Sequence, residues 1–328
     1  MSLDIGIDIG TANIFVYGKD EGIVLKEPAV IAIDKVKREV KAIGKEAYKL
    51  TGRNTGNIVT SYIYENDNYL DKNIMTEVFK YIISKVVGKI KLIRPRMCIS
   101  VHTFEAEDCI NIVKESAFEA GAREAIVIES AIAAAIGAKI DIKNTSGNII
   151  IDIGERISDI SVVSFGEILK KEKLDISGTA FDKALSEYIR KKYGIIIGKR
   201  YAESIKLQYG DFNSFAENKM IPIKGRRVQD ALLCETVIES KEIKEELIYV
   251  VDDIIDKVKE FSENINEDIK KDILSRGIIL TGASALIPGF EILMEEKTGI
   301  NTMVPDNADK ARVTGTGIVL EYTGGNEV

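Results

Sequence analysis

The sequence predicts an α/β fold of two duplicated domains with mixed sheets, each accompanied by a smaller subdomain. The first observation is a motif that occurs twice, at 5–17 and 149–163: an apolar strand, Asp-Ile-Gly, a polar turn and a second strand. The second is that strands alternate with helices after each copy, as in α/β proteins. The third is the length of 328 residues, which is long for one hydrophobic core and sufficient for two.

The glycine in each copy of the motif predicts an anion site. Gly10 and Gly154 follow shortly after Asp8 and Asp152, which end the two strands. Because glycine has no Cβ, the backbone N–H groups of such a turn approach an anion closely. One hairpin of this kind is a weak signal, whereas two suggest that twin half-molecules hold one polyphosphate at the strand ends that face the crevice between them. The alternative for both aspartates is a turn-capping role.

The order of elements follows from apolar spacing and turn composition. In the first half we expect strands at 5–17, 23–33, 96–101 and 125–128, a small hairpin at 35–45, a loop at 51–57, and helices at 74–88, 106–120 and 131–136. Gly121 is predicted to end the second helix and Ser130 to cap the third. In the second half we expect strands from 149 to about 176 and at 278–281, a hairpin region at 211–233, and helices at 181–193, 201–209, 240–264, 289–298 and 309–322.

The domain boundaries follow from the restart of the pattern at Asp152. Domain I is predicted at 1–142 plus about 311–328, with a small subdomain at about 33–73. Domain II is predicted at 143–310, with a small subdomain at about 181–239.

Composition excludes several classes of protein. The sequence has no run of 18 apolar residues, so no membrane-spanning helix is expected, and the first strand begins too early for a signal peptide. Cys98, Cys109 and Cys234 are odd in number and lack zinc-site spacing, which favours a reduced cytoplasmic interior. His102 is the only histidine, which argues against histidine metal sites and a serine triad. The net charge of −7 argues against nucleic acid as a partner.

Short motifs follow one another along almost the whole chain. They lie at 8–13, 22–28, 52–58, 94–96, 120–124, 133–138, 202–206, 280–282 and 294–300. In this order and spacing they closely resemble the MreB family of bacterial proteins, within the actin-like ATPase superfamily. The resemblance implies a cytoskeletal filament protein that binds ATP or ADP with Mg²⁺ in the cleft between the domains and supports cell shape or motility.

The resemblance also implies roles for residues of both halves. Asp8 and Asp152 would hold Mg²⁺ through water, in keeping with the preference of Mg²⁺ for carboxylate, water and phosphate oxygens. The nucleotide would contact two phosphate loops, a helical turn beside the ribose and base, and a segment on the adenosine side. These nucleotide-binding residues are Gly10, Thr11, Ala12 and Asn13; Gly154, Glu155 and Arg156; Glu203, Ser204, Ile205 and Lys206; and Gly282, Ala283, Ser284, Ala285 and Leu286.

The second phosphate loop and the catalytic corner differ from the family pattern. Where MreB-like sequences have Asp-Ile-Gly-Gly-Gly-Thr-Thr-Glu, this chain has Asp-Ile-Gly-Glu-Arg-Ile-Ser-Asp at 152–159, so Ile157 replaces the threonine that resembles the water-positioning residue. Ser130 occupies the position of the family's catalytic glutamate and has no carboxylate. Loss of such an acid–base group costs about 10² to 10⁴ in rate. We therefore expect slow or absent ATP hydrolysis.

Several alternatives stay open at this point. Glu129 would substitute for Ser130 only after a register change, because neighbouring side chains at a strand end point to opposite sides. Glu155 adds negative charge beside the phosphates, and Arg156 is a candidate to neutralise it. The chain would otherwise be a fully active ATPase filament protein or a nucleotide-independent actin-fold scaffold. A heat-shock-type chaperone and a sugar or acetate kinase are weaker candidates, since no peptide-binding domain or second-substrate carboxylate motif stands out.

A basic and apolar segment suggests membrane contact. Ile90, Leu92 and Ile93 lie among lysines and arginines at 85–96, where MreB-like proteins use a loop to touch the inner membrane face. The alternative is an ordinary segment that leads into a strand, in which the methylene groups of the lysines cover apolar surface. The resemblance also implies partners: copies of this chain in polar protofilaments, paired antiparallel in many relatives, and MreB-like paralogues. The expected location is the cytoplasm, with peripheral association at the inner membrane face.

Overall fold

The computed structural model describes residues 3–53, 56–65, 68–69, 71–86 and 94–323. The chain divides into two compact units, the first formed by Met1–Thr145, Val163–Ile168 and Lys310–Val328, and the second by Ser146–Val162 and Leu169–Asp309. The predicted membrane-loop residues Ile90, Leu92 and Ile93 lie outside the described residues. Within the described ranges, no helix combines the length and apolar character that a bilayer crossing requires.

The helices and strands alternate along both units. The first half contains β1 (Asp4–Ile9), β2 (Asn13–Gly18), β3 (Gly22–Pro28), β4 (Val30–Asp34), β5 (Glu39–Ile43), α1 (Lys45–Tyr48), β6 (Ile58–Tyr62), β7 (Tyr64–Glu65), β8 (Asn68–Tyr69), α2 (Lys72–Val86), β9 (Arg96–Val101), α3 (Glu107–Glu119), β10 (Glu124–Glu129) and α4 (Ser130–Gly137). The second half contains β11 (Asn148–Ile153), β12 (Ser158–Ser164), β13 (Glu167–Leu174), α5 (Gly178–Tyr193), β14 (Ile195–Ile196), α6 (Lys199–Tyr209), β15 (Met220–Arg227), β16 (Leu233–Glu239), α7 (Ser240–Glu263), α8 (Glu267–Arg276), β17 (Ile278–Thr281), α9 (Phe290–Thr298), β18 (Thr302–Met303) and α10 (Ala311–Thr323). Short 3₁₀ segments lie at Ala283–Leu286 and Ala308–Lys310.

The main sheets of the two units have the same strand arrangement. The first has the order β10-β9-β1-β2-β3, and the second, written from its other edge, the order β18-β17-β11-β12-β13. In both, three neighbouring strands are parallel, β1 with β9 and β10, and β11 with β17 and β18. In the first sheet, β2 and β3 continue antiparallel. The predicted α/β fold with mixed, duplicated sheets is confirmed.

Burial explains why the motif strands occupy the centre of each sheet. Every residue of β1 and of β11 is buried, including the aspartate near each strand's end. Strands covered on both faces have continuous apolar runs rather than alternating ones. The long helix α7 instead buries one stripe, spaced three and four residues apart and formed by Ile243, Leu247, Val250, Val251, Ile254, Ile255, Val258 and Phe261.

Glycines bring two helices of the first unit into backbone contact. A Cβ at Gly137 in α4 would overlap the carbonyl oxygen of Ala311 in α10. A Cβ at Gly315 in α10 would overlap the carbonyl oxygen of Ala133 in α4. Since each glycine faces the other helix's backbone, the position of α10 relative to α4 is closely determined.

Two sequence predictions for the second half differ from the structure. The hairpin predicted at 211–233 is formed by β15 and β16, which begin later, while 211–219 contains no strand. There Asp211 accepts a hydrogen bond from the backbone N–H of Asn213 at 2.9 Å, a turn interaction that competes with strand pairing. The helix α8 was not predicted because its only fully buried residue is Ile273, so its apolar period is weak.

Candidate functional site

The first predicted phosphate loop is the tight turn between β1 and β2. The backbone N–H of Gly10 donates to the carbonyl oxygen of Asn13 at 2.9 Å, which closes the turn. A Cβ at Gly10 would lie 3.2 Å from this oxygen and 3.0 Å from Nη2 of Arg312. A larger residue would therefore press on both neighbours, and the turn favours glycine for steric reasons.

The second predicted phosphate loop has the same construction in the other unit. The backbone N–H of Gly154 donates to the carbonyl oxygen of Ile157 at 3.1 Å, and a Cβ at Gly154 would lie 2.5 Å from that oxygen. The first N–H groups of α5 are bound to this loop, since Gly178 donates to the Gly154 carbonyl and Thr179 to the Glu155 carbonyl, both at 2.8 Å. Helix α5 thus anchors the loop with donors that would otherwise lack a partner.

The two aspartates predicted near the metal occupy equivalent positions in the two sheets. Asp8 in β1 is in register with Ser100 of the parallel neighbour β9, and Asp152 in β11 is in register with Thr281 of the parallel neighbour β17. The hydroxyl of Thr281 donates to Oδ1 of Asp152 at 3.2 Å. Each unit therefore presents one carboxylate at the same place beside its glycine turn.

A cation that the sequence analysis missed lies beside Asp8. Nη2 of Arg312 is 3.2 Å from Oδ2 of Asp8, and the two side chains are 18% and 7% exposed. Arg312 belongs to the first turn of α10, close to the C-terminal end of the chain. No local pattern connects it to Asp8, so only the tertiary structure identifies this ion pair.

The negative charge that Glu155 adds to the second loop is matched by a lysine. Nζ of Lys199, at the start of α6, lies 3.5 Å from Oε1 of Glu155. The sequence predicts Arg156 for this role, and Lys199 lies outside the predicted residues. Further along α6, burial raises the pKa of Glu203, and the negative charges of Glu155 and Asp182 raise it further. This part of the second unit is therefore rich in carboxylates.

Lys206, predicted beside the ribose and base, is part of a buried ion pair. Its Nζ lies 2.8 Å from Oδ1 of Asp182 in α5, and the two side chains are 5% and 2% exposed. The same ammonium donates to the carbonyl oxygen of Gly178 at 3.0 Å. Lys206 thus ties α6 to the start of α5, the helix that anchors the second loop. Ile205 is buried in the hydrophobic core of this unit.

The segment predicted on the adenosine side begins with a sharp turn after β17. Gly282 has a φ of 91°, and a Cβ there would overlap the backbone of Ile153 at the end of β11. Its N–H donates to the carbonyl oxygen of Ala308 at 3.0 Å. In the 3₁₀ segment that follows, Ser284 is buried and Leu286 is exposed. Glycine is required because the turn combines positive φ with close backbone approach.

The corner between β10 and α4 corrects the prediction that Ser130 caps the helix. Glu129 is the N-cap residue, and Ser130 is the first helical residue, with a side chain bound to Thr103. Oγ of Ser130 accepts a hydrogen bond from the Thr103 backbone N–H at 3.2 Å, and the two hydroxyls lie 2.8 Å apart. The Thr103 hydroxyl in turn accepts from the Ala131 N–H at 3.1 Å. The cap is therefore supplied from the segment after β9.

Neither of the positions where the family resemblance predicts a catalytic glutamate and a threonine carries an exposed polar side chain. Ser130 is 1% exposed, and its hydroxyl is held by Thr103. Ile157 is 9% exposed and apolar, at the turn where the family resemblance predicts a threonine. Glu129 stays a predicted substitute, half-buried at the end of β10.

The residues fit a nucleotide with Mg²⁺ in their donor chemistry. The turn at Gly154 admits glycine alone without a shift of backbone, and the turn at Gly10 is tight enough to favour glycine, which leaves no Cβ beside an anion. The carboxylates of Asp8 and Asp152 are the hard oxygen donors that a hydrated Mg²⁺ prefers. One feature departs from this pattern, because Arg312 is a second cation beside Asp8.

Comparisons with known sequences identify the family. The model of the MreB/Mbl protein family matches residues 2–327. The cell shape-determining protein Mbl of Bacillus subtilis is 35% identical over 318 residues, which are 97% of this chain and 96% of Mbl. The cell shape-determining protein MreB of Escherichia coli is 32% identical over 328 residues, with 98% and 94% coverage.

Comparison with solved structures gives the same result. The crystal structure of MreB5 of Spiroplasma citri bound to ADP has a TM-score of 0.88 at 29% identity and covers 98% of this chain and 97% of that one. A structure of the MamK double helical filament has a TM-score of 0.77 at 15% identity, with 98% and 99% coverage, and supports the fold alone.

Proposed function

This chain belongs to the MreB/Mbl family, and from that premise we propose that it is a filament-forming protein that binds ATP or ADP and hydrolyses ATP slowly or not at all. It has the actin-like ATPase fold, and it is a cell shape-determining protein of the MreB/Mbl type. The observation that carries the proposal on hydrolysis is the buried contact of Ser130 with Thr103.

Nucleotide binding is supported by both phosphate loops. Two crystal structures of MreB5 of Spiroplasma citri, one bound to ADP and one to AMPPNP, each match this chain with a TM-score of 0.88. The turns at Gly10 and Gly154 are each held tight by a backbone hydrogen bond, and glycine leaves no Cβ between the turn and an anion. Asp8 and Asp152 would hold Mg²⁺, which would supply positive charge to the triphosphate. The replacement of two glycines of the family pattern by Glu155 and Arg156 is the main change expected to weaken nucleotide binding by the second unit.

Slow hydrolysis is supported by the chemistry at the two replaced positions. A serine hydroxyl is not a general base at neutral pH without a partner base, and the Ser130 hydroxyl contacts a second hydroxyl. Ile157 lacks a hydroxyl that would orient water. Since each missing group contributes roughly 10² or more to the rate, we expect turnover at least about a hundredfold below that of an intact relative.

Steady-state phosphate release at saturating ATP tests this proposal, with Mbl of Bacillus subtilis measured beside it. The expected result is a low rate for this chain and a rise in the Ser130→Glu, Ile157→Thr double variant. The matched control is Ser130→Gln with Ile157→Val, which changes size without adding a carboxylate or hydroxyl. Turnover of the unmodified chain at the Mbl rate would contradict slow hydrolysis. Absence of any ATP binding by calorimetry would instead favour a nucleotide-independent scaffold.

Self-assembly and membrane contact complete the proposal. We expect polar protofilaments, paired antiparallel, with paralogues as additional partners, at the inner face of the cytoplasmic membrane. Electron microscopy with and without nucleotide tests assembly.

Liposome co-sedimentation of the Ile90→Ser, Leu92→Ser, Ile93→Ser variant tests the membrane loop, because each apolar side chain buried in the bilayer contributes about 1.5–3 kcal/mol to membrane binding. Unchanged pelleting of that variant would remove the loop from the proposal.

A further inference from the structure

The guanidinium of Arg312 lies against the first predicted phosphate loop. Its Nη2 atom pairs with Oδ2 of Asp8 at 3.2 Å and would be 3.0 Å from a Cβ at Gly10. The side chain is 18% exposed, so the group is neither a solvated surface charge nor fully enclosed. A permanent positive charge is thus placed at the turn where the triphosphate is expected.

The backbone that bears Arg312 is held on both sides. The preceding residue, Ala311, lies against Gly137 of α4, and Gly315 one turn later lies against Ala133. On the strand side, a Cβ at Gly6 of β1 would overlap Thr316 of α10. Since all three contacts admit no added methyl group, α10 holds Arg312 at a defined place relative to β1 and its turn.

The chemistry of this group suits a phosphate as well as a carboxylate. A guanidinium has five N–H donors in a planar fork that matches carboxylate and phosphate oxygens, and it stays protonated at every working pH. Its Nη2 atom pairs with Oδ2 of Asp8. Because Arg312 already supplies positive charge beside Asp8, Mg²⁺ at the same place would contribute less to the binding of an anion.

We propose that Arg312 contacts the phosphates of the bound nucleotide and shares Asp8 with the Mg²⁺ position, so that ATP binding by this chain depends only weakly on Mg²⁺. This inference rests on the proposed nucleotide binding. Arg312 acts here as a binding residue and not in hydrolysis.

Equilibrium binding of a fluorescent ATP analogue, at matched ionic strength with excess Mg²⁺ or with EDTA, tests the inference. For the unmodified chain we expect less than about a tenfold loss of affinity in EDTA. The Arg312→Gln variant should lose roughly ten- to hundredfold more affinity in EDTA than in Mg²⁺, because a charge-assisted hydrogen bond to phosphate is removed. The control is Arg123→Gln, which removes an arginine of the same unit that pairs with Asp4 at 3.6 Å.

A second variant keeps the result interpretable if Arg312→Gln is poorly folded. Asp8→Asn breaks the same ion pair from the other side, and it should retain affinity in EDTA while losing the gain that Mg²⁺ provides. Equal losses of affinity for Arg312→Gln in Mg²⁺ and in EDTA, which leave the ratio of the two affinities unchanged, would overturn the role of Arg312. They would leave nucleotide binding intact. No saturable binding by the unmodified chain in either condition would overturn the proposed function and this inference together.

Discussion

The hydroxyl groups of Thr103 and Ser130 lie 2.8 Å apart, and the Thr103 hydroxyl also accepts the backbone N–H of Ala131 at 3.1 Å. A residue that follows β9 thereby caps α4, which begins after β10. The contact also occupies the serine hydroxyl at the position where the family resemblance predicts a catalytic glutamate. One local arrangement thus stabilises the start of α4 and keeps the hydroxyl of Ser130 buried.

Thr103→Val should destabilise the protein by about 1–2 kcal/mol. The substitution keeps the shape of the side chain but removes the acceptor of the Ala131 N–H and the partner of the buried Ser130 hydroxyl. Urea denaturation followed by circular dichroism measures the free energy of unfolding. Thr103→Ser keeps the hydroxyl and should cost clearly less. Equal destabilisation by both variants would show that the methyl group, rather than the hydrogen bonds, matters at this position.

Alanine at Gly137 or Gly315 should destabilise the first unit by about 1–3 kcal/mol or more. The new Cβ would overlap a backbone carbonyl oxygen of the facing helix, and backbone cannot move aside as a flexible side chain does. Thermal unfolding measures the effect. The control is Gly198→Ala, where no atom lies within 4 Å of the added Cβ, and its melting temperature should change little. A wild-type melting temperature for Gly315→Ala would contradict the close approach of α4 and α10.

Lys206→Met should destabilise the protein by about 3–5 kcal/mol, because it leaves the carboxylate of Asp182 buried without its partner. The double variant Lys206→Met, Asp182→Leu removes both charges and should recover much of this loss. A double-mutant cycle from denaturant midpoints gives the coupling free energy. If the two single effects simply add, the pair contributes no coupling and the side chains act independently.

Stability should fall in acid through Glu242. Burial alone would raise its pKa, but hydrogen bonds from Lys192, Tyr188 and Tyr193 outweigh burial and lower the pKa to about 2. A carboxyl whose pKa is lower in the folded state stabilises that state above the ordinary value of 4.5, and this contribution is lost as pH falls toward about 2. Glu242→Gln should cost about 1.5–3 kcal/mol at neutral pH and flatten this part of the pH profile.

Glu246, one turn further along α7, serves as the control of opposite sign. Burial raises its pKa, so its protonated form favours the folded state, and that contribution is lost as pH rises through the raised pKa. Glu246→Gln should therefore be neutral or stabilising at pH 7. Urea denaturation at a series of pH values from 7 down to about 2, where Glu242 titrates in the folded state, distinguishes the two variants. A parallel pH profile for Glu242→Gln and the unmodified chain would contradict the assignment.

Local patterns were sufficient to predict much of the fold. The motif strands, the glycine turns and long helices such as α7 repeat apolar residues at a fixed period, and each is visible within a short window. The prediction was less accurate where that signal is weak. Helix α8 was missed because it buries little, and the hairpin formed by β15 and β16 was placed too early in the chain.

The sequence by itself determined the duplicated frame, the two glycine turns and the absence of a carboxylate at Ser130 and of a hydroxyl at Ile157, since these depend on residue type within short segments. Only the tertiary structure decided which cation neutralises each carboxylate: Arg312 for Asp8, Lys199 for Glu155 and Lys206 for Asp182. It also decided that Thr103, and not Ser130, caps α4. The physical reason is that ion pairs and caps require proximity in space, and chain folding brings together residues whose separation in sequence carries no signal of it.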